Sequence, residues 1–115
     1  MGSKVDSHRD LRVYENSIEV AMKLFEISKK FPREEQYSLV DQIRRSSRSV
    51  CANLAEAWSK RRYKRAFLAK LNDCEAEAAE SRVWIEFAFR CEFIDKETLL
   101  ELDDHYDIFF GNFPE

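Results

Sequence analysis

Between Gln42 and Arg65 the chain reads QIRRSSRSVCANLAEAWSKRRYKR, setting eight cationic side chains (Arg44, Arg45, Arg48, Lys60, Arg61, Arg62, Lys64, Arg65) against one acid, Glu56. A local net charge of +7 inside a chain of net −3 is the strongest chemical signal in these 115 residues. Two uses fit it. Cations at this density can neutralise RNA or DNA phosphates, an interaction that weakens steeply with salt. They can equally answer the chain's own acidic half, since residues 66 to 115 carry four basic side chains against thirteen acidic ones. Lys60, Arg61, Arg62, Lys64 and Arg65 cluster at an expected helix junction and are the candidates for nucleic-acid contact, with Tyr63 and Trp58 suited to stacking on unpaired bases. Arg44, Arg45 and Arg48 lie among small residues and, with Asn53 and Glu56, are expected to form an oligomer interface or a structural polar set. Asn53 and Glu56 in particular are expected to hold the helix in register by hydrogen bonds. The overall acidity, with a pI near 5.5, argues against a general nucleic-acid coat.

Catalysis finds little support. A carboxylate-bridged metal site in a helical bundle needs paired Glu-x-x-His motifs, but the histidines are His8, near the N-terminus, and His105, four residues after Glu101 rather than three. Asp73, Glu75, Glu77 and Glu80 point at different angles around one helix and read as a solvated or salt-bridged face. A Ser or Cys nucleophile would need a base and an oxyanion site, and no Gly-rich or strand-to-helix turn supplies one. Three cysteines with no C-x-x-C spacing suit a reducing cytosol, and Cys51, Cys74 and Cys91 read as small core hydrophobes. The expectation is a protein that is not an enzyme, with no cofactor or metal.

The elements that position these residues are helices. Two Gly and two Pro, with 44% hydrophobic and 36% charged residues, leave few turn signals. In the first helix Leu11, Tyr14, Ile18, Ala21, Phe25 and Ser28 keep one face toward a partner, and Val13, Val20, Leu24, Ile27 and Phe31 widen it. Ser7 or Asp10 caps its start and Phe31-Pro32 ends it. The second helix is expected from about Glu34 to about Lys60, with Val40, Ile43, Val50, Leu54 and Trp58 on its core face and small residues all round it. The third starts near Arg62, with Phe67, Leu68, Leu71, Cys74, Ala78, Ile85 and Phe89 inward and Glu75 and Arg82 near the same face, where charges require partners. Asp95 caps a fourth helix with Leu99, Leu102, Tyr106, Phe109 and Phe113 inward, frayed at Gly111. This predicts an all-α, antiparallel up-and-down four-helix bundle over residues 10–115 after a flexible leader, 1–9. With neither an apolar run of about 18 residues nor a leader of secretory type, a cytoplasmic protein without membrane contact is expected.

The stretch from Asp10 to Ile94 resembles a bacterial four-helix-bundle family named after proteins encoded in intervening sequences of 23S ribosomal RNA genes. The resemblance rests on Phe31-Pro32, Glu35, Leu39, Gln42-Ile43-Arg44-Arg45, Ser49, Asn53 and Ala55-Glu56, with weaker agreement at Leu71, Glu80 and Ile94. Where the family commonly has Gly after Ala-Glu, this chain has Ala57-Trp58, so the second helix should continue and join the third later, near Arg61. The resemblance implies a ring-like homo-oligomer, a homopentamer by analogy. A more remote likeness, to the accessory protein of diversity-generating retroelements, implies a protein partner such as a reverse transcriptase alongside RNA or DNA.

Overall fold

The computed structural model describes residues 7–110 and is built from four α-helices with no strand among those residues. These are α1 (Arg12–Ser28), α2 (Leu39–Ser59), α3 (Lys64–Arg90) and α4 (Lys96–Tyr106), with short 3-10 turns at His8–Asp10, Arg33–Glu35 and Asp107–Phe110. They form the expected up-and-down bundle, in which α2 packs on α1 and α3, and α4 closes against α1 and α3. The expected leader falls mostly outside the described residues; its last part forms the first 3-10 turn, where Ser7 and Asp10 make a reciprocal capping box. Gly111 and Phe113 also lie outside them.

Lengths decide the shape. At 1.5 Å per residue α3 runs roughly 40 Å and α2 roughly 30 Å, against about 25 Å for α1 and about 16 Å for α4. The α2–α3 pair is therefore the spine of a 45 × 30 × 21 Å molecule. Its main core joins Val20 and Leu24 of α1, Ile43, Val50 and Leu54 of α2, Cys74, Ala78 and Ile85 of α3, and Leu102 and Tyr106 of α4. A smaller cluster of Phe31, Leu39, Val40 and Ala88 seals the end near Pro32. Small polar residues let the helices approach closely: Ser17, Ser46, Ser47 and Ser81 are fully buried, and the Ser81 hydroxyl lies 2.9 Å from that of Ser46 across the α2–α3 seam.

Several expectations need correction. Helix α2 starts at Leu39, not Glu34, because Ser38 leaves the helical region (φ −127°, ψ −96°) and the Glu35 carboxylate accepts from the Ser38 hydroxyl and from the Leu39 N–H. Of the two apolar stripes on α1, the second supplies the buried Val20 and Leu24, with Ser17 and Ser28; of the first, Tyr14 packs against the core, while Ile18 is exposed and lines a surface groove shared with Arg48 and Ala52 of α2. Leu68 on α3 is likewise exposed, as is Cys91. Cys51 and Cys74 are buried as expected, and burial holds the Cys74 thiol up at about 12, so it stays protonated and inert. Arg82 has the required partners, reaching Asp107 at 2.6 Å and Asp103 at 3.5 Å, while Glu75 faces solvent.

The α3–α4 turn is a Schellman motif. The Phe93 N–H reaches the Ala88 carbonyl at 2.8 Å, the Glu92 N–H reaches Phe89, and Glu92 adopts φ +65°. A residue with a Cβ is disfavoured there by roughly 1–2 kcal/mol. Glu92→Gly removes that cost but adds unfolded-state entropy, so a net gain of about 0.5–1 kcal/mol is expected in urea denaturation. Across the α1–α4 seam, Asn16 Nδ2 donates to the His105 carbonyl at 2.6 Å, which orients the amide so that its Oδ1 faces His105 Nδ1 at 2.6 Å. Nδ1 therefore carries the proton of a neutral ring. Burial, reinforced by Lys23, lowers the His105 pKa below its ordinary 6.5. The unfolded chain then binds the proton more readily than the fold, so this contribution is complete above pH 6.5 and is lost as pH falls toward the folded value. Wild-type protein is expected to lose stability between pH 7.5 and 5.5, and His105→Gln to lose less.

Candidate nucleic-acid interface

The cations of the Gln42–Arg65 segment separate into two groups with different surroundings. Arg44 reaches back to α1: its Nε donates to the Ser28 hydroxyl at 2.9 Å and its Nη2 to the Phe25 carbonyl at 3.3 Å, while the guanidinium lies 4.7 Å from the Phe25 ring. It thereby serves one of the carbonyls that the last turn of α1 leaves without a helical partner. Arg48 lies over the same ring at 5.7 Å and Lys29 at 4.6 Å. Arg45 crosses to α3, pairing with Glu77 at 3.3 Å and with Glu80. Glu56 does the same through Lys70 at 2.7 Å, and that hydrogen bond and charge hold its carboxyl below the ordinary carboxylate range. Glu56 thus joins α2 to α3 as a register-setting contact. Asn53 is half-buried, and its side chain makes no hydrogen bond among the described residues.

The second group occupies the α2–α3 junction. Helix α2 ends at Ser59, the Lys60 N–H is shared between the Glu56 and Ala57 carbonyls, and the Tyr63 N–H closes the turn on Lys60 at 2.9 Å. As expected from Ala57-Trp58, the turn comes after the pair rather than at it. Lys60, Arg61, Arg62, Lys64 and Arg65 are all exposed. Arg61 folds back over the Trp58 indole at 4.3 Å and donates to the Trp58 carbonyl at 3.0 Å. Lys60 lends its charge to Glu56. Among the described residues Arg62, Lys64 and Arg65 make no ion pair or hydrogen bond through their side chains.

Lys64 and Arg65 stand in the first turn of the longest helix, where the macrodipole is positive and the leading N–H groups lack helical partners. This N-terminus has neither a side-chain cap nor an acid in its first turn, although both would stabilise it. Helix α4, by contrast, is capped by Asp95, whose Oδ1 accepts from the Thr98 N–H at 2.8 Å. The junction therefore concentrates fixed positive charge, backbone donors and an exposed tyrosine in an arrangement complementary to anions. Among the described residues no three His, Cys, Asp or Glu side chains converge to hold a metal ion, and no helix is long and apolar enough to cross a membrane.

An all-α four-helix bundle with a cationic junction is the class these features define. Residues 9–109 match the family described as 23S rRNA-intervening sequence protein, and the chain belongs to that family. Its fold is similar to that of a crystal structure from Bacteroides thetaiotaomicron VPI-5482, described as a protein with unknown function from the S23 ribosomal protein family. The two are 28% identical, with a TM-score of 0.74 over 84% of this chain and 87% of that one. Among curated proteins none matches.

The different surroundings of the two cation groups give different costs of removal. Arg44→Ala deletes two charge-assisted hydrogen bonds at the α1 terminus and is expected to cost about 1–2 kcal/mol in chemical denaturation. Arg62→Ala, with no side-chain partner to lose among the described residues, is expected to change stability by less than about 0.5 kcal/mol.

Proposed function

We propose that this protein is a non-catalytic, cytoplasmic, oligomeric bundle that binds RNA or DNA through Lys60, Arg61, Arg62, Lys64 and Arg65. The carrying observation is that the junction keeps five exposed cations in a net acidic chain, three of them without a side-chain partner among the described residues. Two of them oppose the dipole of α3. Fold stability alone gives no reason to keep them there; a phosphate ligand does. The family's designation refers to 23S rRNA and that of the Bacteroides neighbour to ribosomal proteins, which favours RNA as the first ligand to test.

A second reading, a self-assembling scaffold or an accessory subunit for a protein partner such as a reverse transcriptase, draws on the outer side of α3. Opposite its core face this helix carries Leu68, Val83 and Phe87, which are 46%, 46% and 51% exposed, with Ala76 and Ala79 between them. A stripe of that length gains from burial against a neighbouring subunit or partner. The two readings are compatible in a ring-like homo-oligomer, five subunits being the number that the resemblance implies, with the cationic junctions gathered on one rim.

Charge reversal separates them. Lys60→Glu, Arg61→Glu and Arg62→Glu together are expected to abolish RNA binding in a gel-shift assay while light scattering shows the same oligomer as wild type. If the triple variant instead falls apart to monomers without nucleic acid present, the junction serves self-assembly and the scaffold reading replaces the first.

A further inference from the structure

Resting on the nucleic-acid reading, we infer that the α2–α3 junction takes unpaired nucleotides, with Tyr63 as the platform for one base, and discriminates single strands from duplexes. Three observations carry this.

The first is the state of Tyr63. Its side chain is 71% exposed. Yet its backbone is fixed on both sides, the N–H bonding to the Lys60 carbonyl and the carbonyl accepting from the Phe67 N–H, each at 2.9 Å. Among the described residues its ring has no aromatic or cationic neighbour, and its hydroxyl no hydrogen bond. A large ring held in water by a rigid turn is pre-organised to stack, since little backbone ordering remains to oppose binding.

The second is the neighbouring pair. The Arg61 guanidinium lies 4.3 Å from the Trp58 ring and is anchored by its bond to the Trp58 carbonyl, so the cation is held rather than free to swing. Guanidinium planes are themselves surfaces on which unstacked bases lie. Arg62 and Lys64 flank Tyr63 in sequence and have no side-chain partners among the described residues, which leaves them for the phosphates on either side of a stacked base.

The third is size. The five cations fall within six consecutive residues, Lys60 to Arg65, at the end of two packed helices. Helices are about 10 Å across, so the tip is on the order of 20 Å wide. It cannot enter the ~12 Å major groove of B-DNA as a single recognition helix does. Nor does so short a cation run follow duplex RNA across successive grooves in the manner of domains that read it by shape. A single strand brings bases and phosphates to the tip without a groove.

The test measures fluorescence anisotropy of the full chain with a 12-nucleotide mixed-sequence RNA, the same sequence as DNA, and the corresponding duplexes. Single strands of either sugar are expected to bind at least about tenfold more tightly than duplexes. Tyr63→Ala is expected to lose on the order of tenfold on single strands and nothing on duplexes, with Tyr63→Phe close to wild type. With five cations available per subunit, the slope of log K against log salt per bound subunit is expected to be no steeper than about −3.5 on single strands. Equal binding of single strands and duplexes, or a Tyr63→Ala protein that binds single strands as wild type does, overturns the stacking platform while leaving phosphate binding standing. If wild type binds none of the four probes, the nucleic-acid reading itself fails, and this inference with it.

Discussion

The close pairing of α2 with α3 is the constraint on which the rest of the molecule depends. At its centre Ser46 and Ser81 are both fully buried and in hydrogen-bonding contact, a pairing available only to small side chains. Beside that contact Arg45 pairs with Glu77 and Glu80, and nearer the α2–α3 junction Glu56 pairs with Lys70, spanning the same two helices. Exposed pairs of this kind add little stability singly. Their effect is to fix register, because sliding α3 by one turn would separate both sets at once. Register in turn decides where α3 begins, and so where Lys64, Arg65 and Tyr63 stand relative to the end of α2.

Given that spine, α1 and α4 act as covers shorter than the pair they cover. Arg44 ties the end of α1 to α2, and Asn16 ties α1 to His105 on α4. The junction beyond Trp58 is left exposed, with Arg61 held on Trp58 and Lys60 near Glu56. Eight positive charges that look like one patch in the sequence are thus divided: Arg44 and Arg45 serve the fold directly, Arg48 shares the Phe25 ring with Arg44, and the last group stands exposed at the junction, where Lys60 lends its charge to Glu56.

What the sequence disclosed depended on whether the cause was local. The number of helices, the Asp95 cap and the late α2–α3 turn were legible, because periodicity, a capping residue and the replacement of Gly by Ala57-Trp58 act over a few residues. The start of α2 was misplaced, since Glu35 and Glu34 resemble a first helical turn although Glu35 caps from outside the helix. The inward face of α1 was ambiguous for a different reason. Both of its stripes are apolar, and only the placement of the other helices, α2 foremost, decides that Val20 and Leu24 go inside while Ile18 does not. Leu68 was assigned to the core because α3 is apolar on opposite sides, a pattern that distinguishes no inward face. The Arg44 contacts with Phe25 and Ser28 lay beyond reach, as they join positions sixteen and more residues apart through a turn whose geometry the sequence does not disclose. At the candidate site, composition marked the cations correctly as exposed charge, whereas the covering of Trp58 by Arg61 and the solvation of Tyr63 required coordinates.

The central claim is that one cationic segment does two separate jobs, and amide and side-chain NMR during titration with single-stranded RNA tests it most directly. The account predicts shift changes confined to Trp58 through Arg65 and the first turn of α3, with the Arg44 and Arg45 guanidinium signals unmoved. Changes centred on Arg44, Arg45 and Arg48 with the junction silent would contradict it.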